Sequence, residues 1–452
     1  MTGLPDYSIF DSKVWIFLVK KELGVMLVRW LKTQYKNQPA PLWVIVSVTF
    51  TMWLGLGATM PIRTIYAERE GSSLTEIGLM GSAYLLAQFV FQLPFGRLND
   101  KWGRRPFILF AVVAHTILSA AYIFLNSPLL FIIIRALEGV GTAAFMPAAR
   151  AYISDVIPRN KRGEAFGLFG AAASGGILLG PAAGGFIGGA FGFTMPFIFC
   201  AATGVIGLLL AIFLLPESIH NQIEPAVAPR LAPLVKAPLA RWFGVYFLGA
   251  CFMLFTLQFV MSLLGTVWNI WLNDQGDSLN QIGLTYTVFG LPSLFFTPYF
   301  GRLIDRSQNQ AYLYLVGGIG ITSVYAGYAF AAGNFGLIVG LSLLESLMFS
   351  MLQPISDRFT AEIIPANARG TGQALFSTFS TLGGFVGAML TTIVYQFWIG
   401  APFIAAAGVV LAGTVVGSMV MWRYERRHRP LRGEPPALEV TKPEEAELVS
   451  SH

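Results

Sequence analysis

The chain has little charge for its size. Of its 452 residues, 12% are Asp, Glu, Lys or Arg while 55% are apolar, where a soluble domain carries roughly 25% charged residues. That deficit excludes an ordinary water-soluble enzyme or binding module. Its distribution says more: from Pro41 to Trp422, apolar stretches of about twenty residues alternate with short charged punctuation, the pattern of a polytopic helical membrane protein. Short segments of alternating polarity, which would mark a β-barrel, are absent. Cysteine is scarce as well. Cys200 and Cys251 both lie in apolar stretches, which excludes a disulfide framework or a cysteine metal site. His115, His220, His428 and His452 are scattered and form no metal-ligand cluster. No Gly-rich loop leads into Lys and Ser or Thr, so nothing points to ATP hydrolysis. A membrane-embedded enzyme would need a nucleophile with its base, or a metal cluster, and the sequence offers neither. No cofactor is expected.

Apolar runs able to cross a hydrocarbon core of about 30 Å predict twelve helices. They lie near 41–62, 77–95, 106–125, 128–149, 165–189, 194–215, 242–270, 281–300, 311–331, 335–357, 370–395 and 401–422. Basic residues orient them, because Lys and Arg are retained on the cytoplasmic side. With the N-terminus inside, 27 of the 30 Lys and Arg fall on cytoplasmic segments; Arg63 and Arg69 fall outside and Arg135 within a span. Both termini are therefore expected in the cytoplasm, and the protein in the plasma (cell inner) membrane. The net charge of +6 reflects this topology and contact with anionic lipid, not nucleic acid.

Five regions follow. Residues 1–40, interrupted by Lys20, Lys21, Glu22 and Arg29, read as a cytoplasmic or interfacial segment and not a signal peptide. Residues 41–216 and 242–422 are two six-helix bundles, joined by a cytoplasmic linker at 217–241 that carries Pro225, Pro229, Pro233 and Pro238. Residues 423–452, basic and then rich in Pro and Glu, read as a disordered cytoplasmic tail.

The two bundles are copies of each other. At an offset of 205, Gly71, Ser73, Leu74, Ile77, Gly78, Leu79, Gly96, Arg97, Leu98 and Asp100 recur as Gly276, Ser278, Leu279, Ile282, Gly283, Leu284, Gly301, Arg302, Leu303 and Asp305. At an offset of 207, Leu137, Glu138, Pro147, Pro158, Arg162 and Gly163 recur as Leu344, Glu345, Pro354, Pro365, Arg369 and Gly370. Two parallel halves enclosing a cavity, one rocking against the other, are transport architecture.

Three motifs carry chemistry. Between the second and third spans stand Gly96, Arg97, Leu98, Asn99, Asp100, Lys101, Trp102, Gly103, Arg104 and Arg105; the glycines permit a tight turn, and one acid among four bases can form interchangeable charge pairs. The fourth span holds Arg135, Glu138, Gly139 and Gly141. Charges at that depth cost several kcal/mol and normally face a cavity with a partner, and Arg135 and Glu138, three apart, share a helix face. Glu345 repeats Glu138 in the tenth span, so two carboxylates are expected to face one cavity. The fifth span has Gly167, Gly176, Gly180, Pro181, Gly184 and Gly185. Glycines at a spacing of four admit a neighbouring helix closely, and Pro181 removes a backbone donor from Ile177, giving a bendable point. The eleventh span keeps Gly383 and Gly387 but has Ala388 in place of the proline.

These motifs resemble those of the major facilitator superfamily, over roughly residues 40–423. The 96–105 segment matches that family's loop signature, the fourth span its arginine-glycine motif linked to proton coupling, with Glu138 where glutamine is common, and the fifth span the motif of its antiporters. The resemblance implies that Asp100 docks on a helix of the opposite half and that Arg104 pairs with an acid at the end of the fourth span, for which Asp155 fits. The second copy keeps Asp305 but has Asn309 where Arg104 stands, so a weaker gate is expected there, with Glu362 matching Asp155. The implied fold is all-α and integral to the membrane, two parallel six-helix bundles around a central cavity. The implied function is a multidrug-efflux-like, proton-coupled antiporter that exports lipophilic or amphiphilic small molecules by alternating access, as a monomer. Glu138 is expected to carry the proton, with Arg135 tuning it and Glu345 as second candidate. A lipid translocase or metabolite exporter of the same fold is the close alternative, and a transporter-like membrane sensor the one from a different class.

Overall fold

The computed structural model describes residues 39–158, 161–218, 244–307, 309–364 and 369–428, with the backbone alone at 294, 298, 305, 306, 369–371, 373, 374 and 428. Most of the expected N-terminal segment, linker and tail lies outside the described residues. Those residues fold into helices: α1 Ala40–Arg69, α2 Leu74–Trp102, α3 Arg105–Ala121, α4 Pro128–Val156, α5 Arg162–Phe191 and α6 Met195–Leu214 in the first half. The second half holds α7 Val245–Leu264, α8 Val267–Asp274, α9 Leu279–Arg306, α10 Gln310–Tyr328, α11 Phe335–Ile363, α12 Arg369–Tyr395 and α13 Ala401–His428. α7 and α8 form one crossing of 30 residues, broken at Thr266, so the crossings number twelve among the described residues. Ten of them are long and apolar enough to cross a membrane. The last helix runs beyond Trp422 to His428, through residues expected to begin the tail.

The duplication is visible in how elements start and stop. α2 opens on a capping box in which Ser73 and Glu76 exchange hydrogen bonds, and α9 opens on the same device made by Ser278 and Gln281. Each follows a turn at a glycine of positive φ, 92° at Gly71 and 86° at Gly276. α1 ends at Arg69 and α8 at Asp274, again 205 apart. Large side chains left on the outside are apolar: Phe124, Phe186, Phe191, Phe213, Phe330 and Phe397 are 65% to 83% exposed, as suits a surface that faces hydrocarbon.

Within the first half α5 packs along α1, and α2 along α4; in the second half α12 packs along α7, and α9 along α11. The halves meet chiefly through α2 with α12 and α5 with α9, pairs that the repeat interchanges, and also through α1 with α8 and α9. The bundle's two ends differ. At the far end, where α1 stops and α2 starts, Asn269 Nδ2 donates to the Met60 carbonyl and to Thr64 Oγ1, and Gln396 donates to Thr75. One step inward, Ser82 donates to the Phe385 carbonyl. Among the described residues these are the hydrogen bonds that join the halves. Toward the near end, where α1 starts, a Cβ added at Gly163, Gly167, Gly170 or Gly301 would meet nothing within 4 Å. The halves are closed at the far end and parted at the near one.

Candidate functional site

Deep in the first half, one turn of α4 places Arg135 and Glu138 on the same face, and Arg135 Nη1 meets Glu138 Oε2 at 2.6 Å. The same oxygen accepts from Tyr122 Oη at 3.3 Å. The Arg135 guanidinium lies over the Tyr84 ring of α2, 4.2 Å from its centroid. Glu138 borders a small pocket together with Met52, Trp53, His115, Thr142 and Phe145. His115 Nε2 lies 3.5 Å from Cys200 Sγ. A second guanidinium reaches this cluster. Arg63, expected in the loop outside, is buried in α1, donates to Thr59, and lies 5.7 Å from the centroid of the Tyr122 ring. The span is longer than its apolar run suggests, so a base that looked terminal lies inside.

Glu345 of α11 is buried in another way. Its two oxygens accept from Tyr325 Oη at 2.6 Å and Tyr328 Oη at 2.9 Å, and Tyr328 also bonds Ser342. No cation forms an ion pair with Glu345 among the described residues. The repeat explains the difference: Ser342 stands where the first half has Arg135, and Trp268 where it has Arg63. Glu345 borders its own cavities, one lined by Thr256, Phe349 and Thr414 and one by Trp268, Tyr286 and Ser342. Neither shares a lining residue with the Glu138 cavity, so where one common chamber is expected the two acids border separate cavities, one beside Glu138 and two beside Glu345.

The loop motif is mostly helix. Gly96 and Asp100 belong to the last turns of α2, and the turn itself is Gly103, with φ 98°. A Cβ there would also run into the Glu217 carboxylate, so glycine is required on two counts. Arg104 is buried and joins its partners: Nε reaches Asp155 Oδ2 at 3.0 Å, Nη1 reaches Asp100 Oδ1 at 3.1 Å, and Nη1 also donates to the Asn99 carbonyl. Glu217, just beyond α6, accepts from the backbone N–H groups of Arg104 and Arg105 and so caps α3. Ser218 donates to the Asp155 oxygen that Arg104 holds, and Arg105 donates to the Ile212 carbonyl. Asp100 does not dock on the opposite half. Its side chain is 73% exposed and its partner is Arg104, because the near end is parted. The side chain of Asp305 lies outside the described residues; Glu362 pairs with Arg358 at 2.7 Å.

The α5 motif divides between two neighbours. A Cβ on Gly176, Gly180 or Gly184 would strike α1 at Trp53, Gly57 or Ala58, and one on Gly185 would strike α9 at Leu279 and Gly283. The Pro181 ring rests against Gly57, while its carbonyl faces Gly283. Gly167 faces open space. Sequence reasoning missed Tyr122, Tyr325 and Tyr328 as partners of the two acids, and Arg63 as a buried neighbour of the first cluster. Tyr122 and Tyr328 hold matching places before the helix that carries each acid, and that periodicity was the available signal.

A family model described as Major Facilitator Superfamily matches residues 42–267 and 250–450. Multidrug resistance protein 2 of Bacillus subtilis is 25% identical over 402 residues, which is 88% of this chain and 98% of that protein. The quinolone resistance protein NorA of Staphylococcus aureus is 23% identical over 387 residues, 84% of this chain and 95% of that one. Among solved structures, a bacterial homologue of the human lysosomal transporter Spinster, inward-facing and unoccupied, superposes with a TM-score of 0.68 at 16% identity, over 86% of this chain and 97% of that one.

Proposed function

The chain belongs to the Major Facilitator Superfamily and is a membrane transporter, not an enzyme; on that premise we propose that it exports lipophilic or amphiphilic small molecules in exchange for protons, by alternating access. The observation that carries the alternating access is the one-sided contact between the halves. They touch through two repeat-related helix pairs and through α1 with α8 and α9 at the far end, and part at the near end, and the duplication makes the reverse arrangement available to the same surfaces. We read the near end, where Arg97, Arg104, Arg105 and Arg162 lie, as cytoplasmic, which puts both termini in the cytoplasm of a plasma membrane. The multidrug and quinolone resistance relatives support the cargo class.

For the proton, the geometry favours Glu345 over Glu138. Protonating Glu138 means breaking a 2.6 Å pair with Arg135, and separating a buried pair costs about 3–5 kcal/mol. Glu345 is held by two hydroxyls, which can turn from donors into acceptors, so it gains or loses a proton without unmaking an ion pair. Glu138 then serves to hold Arg135 and shape the first pocket. In sealed proteoliposomes with an imposed pH gradient, Glu345→Gln is expected to abolish uphill export of a lipophilic dye while downhill exchange continues. Glu138→Gln is expected to weaken dye binding and leave proton linkage in what transport remains. The opposite pattern would return the proton to Glu138, and no pH-driven flux in the unaltered protein would remove proton coupling.

A further inference from the structure

One short helix of the second half touches both the Glu345 site and the opposite half. The backbone turns at Thr266, with φ −126° and ψ −82°, which makes a joint between α7 and α8; the matching crossing of the first half runs unbroken through Pro61, at the place of Thr266. Successive residues on a helix point about 100° apart. On α8 the neighbours Trp268 and Asn269 accordingly face different bodies. Asn269 donates to the Met60 carbonyl and to Thr64 of the first half. Trp268 stays within its own half, where Nε1 donates to Thr285 Oγ1 at 3.0 Å and the indole meets the Tyr328 ring edge-on, centroids 4.9 Å apart. Tyr328 is one of the two hydroxyls that hold Glu345.

Glu345 stands between two pockets. Thr256, Tyr314, Leu352 and Thr414 line the one toward the near end, and Leu264, Trp268, Thr285 and Ser342 line the one toward the far end. Trp268 is the residue that α8 puts into the far wall. Among the described residues no cation pairs with Glu345, so its charge is costly wherever water cannot reach it. A wall that closes the far pocket while Asn269 grips the first half therefore favours the protonated acid. A wall that withdraws with α8 favours the carboxylate.

We propose that Trp268 is the lid on the far side of Glu345 and that α8 moves it together with the far seam, so that proton access and far-end closure are one motion. The inference rests on the reading of Glu345 as the proton carrier, and Trp268 is a positioning residue that handles no proton itself. Protonation of Glu345 favours the closed far end, and raising the pH shifts the population toward the far-open one. That is the sense that carries a proton inward. The titratable groups facing Glu345 or its pockets are Tyr314, Tyr325 and Tyr328 of α10 and Tyr286 of α9, while α7 and α13 bring threonine and apolar residues. Across the seam, Arg63 of α1 acts on Tyr286 and stays charged at every pH. At the far end of α8, Asp274 accepts from Tyr395 Oη at 2.6 Å and lies in the field of Glu68 of α1, with Asp277 in the turn that follows.

Spin labels on the far ends of α1 and α8, in the full chain in phosphatidylcholine nanodiscs at acid and at alkaline pH, report the ratio of closed to open far ends. In the unaltered protein that ratio is expected to fall about tenfold between the two, within the range of an ordinary coupling between sites. Glu345→Gln should hold it near its acid value at either pH. Trp268→Leu should remove most of the pH response while the closed distance stays populated at acid pH, which also reports that the variant is folded. Trp268→Phe, which keeps a ring against Tyr328, should give an intermediate response. A full response in either Trp268 variant would overturn the proposal, as would a ratio displaced equally at both pH values, the mark of a purely structural role. A response that survives Glu345→Gln would belong to Glu68 and Asp274 at the seam and would overturn it too. Absence of pH-driven export beside an intact distance response would remove the exporter reading and leave the lid standing; a distance that ignores pH beside intact pH-driven export would do the reverse.

Discussion

Arg104 and Asp100 sit on one charge network yet differ in what they can do. Arg104 is buried against Asp155, and its removal would leave that carboxylate buried with Ser218 as its donor among the described residues. Arg104→Ala is therefore expected to destabilise the protein by about 3–5 kcal/mol, read as a lowered midpoint in thermal or denaturant unfolding. Asp100 is 73% exposed in this conformation, so Asp100→Asn should change stability by about 1 kcal/mol or less. Its effect belongs to the cycle: if Asp100 docks on the opposite half when the near end closes, the variant should favour the near-open state and slow turnover. Spin labels at the near ends of the two halves report that population, and an unchanged distance distribution with normal turnover would count against a latch.

At the scale of elements, α5 carries the sharpest tests because its motif residues meet three environments. Gly180→Leu would drive a side chain into Gly57 and Ala58 of α1, so loss of folded protein is expected, measured as yield after detergent extraction. Gly167→Leu meets nothing within 4 Å; the variant should fold, and should stall in the near-open state if α5 is approached there when the near end closes. Normal transport by Gly167→Leu would show that no close approach occurs at that glycine. Pro181 touches α1 with its ring and faces α9 with its carbonyl. Pro181→Ala restores a donor for Ile177 and removes the ring's clash with the preceding turn. We expect the variant to reach the membrane but to leak protons or readmit substrate; tight export with no added leak would reduce the motif to a packing device.

For the whole molecule, the closed end depends on a small polar contact. Asn269, fully buried on α8, donates to the Met60 carbonyl and Thr64 of the other half and accepts from Tyr286 Oη at 2.8 Å. The break between α7 and α8 places it there. Asn269→Leu would take the Asn269 donor from Thr64 inside the seam, while Tyr286 keeps the Leu264 carbonyl, at roughly 1–3 kcal/mol for an unsatisfied buried group. The closed far end should lose occupancy, seen as longer distances between labels on the far ends of α1 and α8. Shortened or unchanged distances would show that packing of α2 on α12 and α5 on α9 suffices to close it.

The sequence by itself determined the crossings, their duplication and the family, because hydrophobic length and the repeated Gly, Asp and Pro positions are local properties of the chain. It also determined the Arg135 to Glu138 pair, since three residues on a helix bring two side chains to one face, and the need for glycine where α5 meets its neighbours. Tertiary structure decided the rest. That Arg63 is a buried member of the Glu138 cluster depends on how far α1 runs and which way it turns, which a base near the end of an apolar run does not reveal. That Glu138 and Glu345 line separate pockets follows from each half's own packing, whereas the repeat specifies only that they correspond. Whether Asp100 touches the other half depends on which end is closed, a property of two rigid bodies that no local segment encodes.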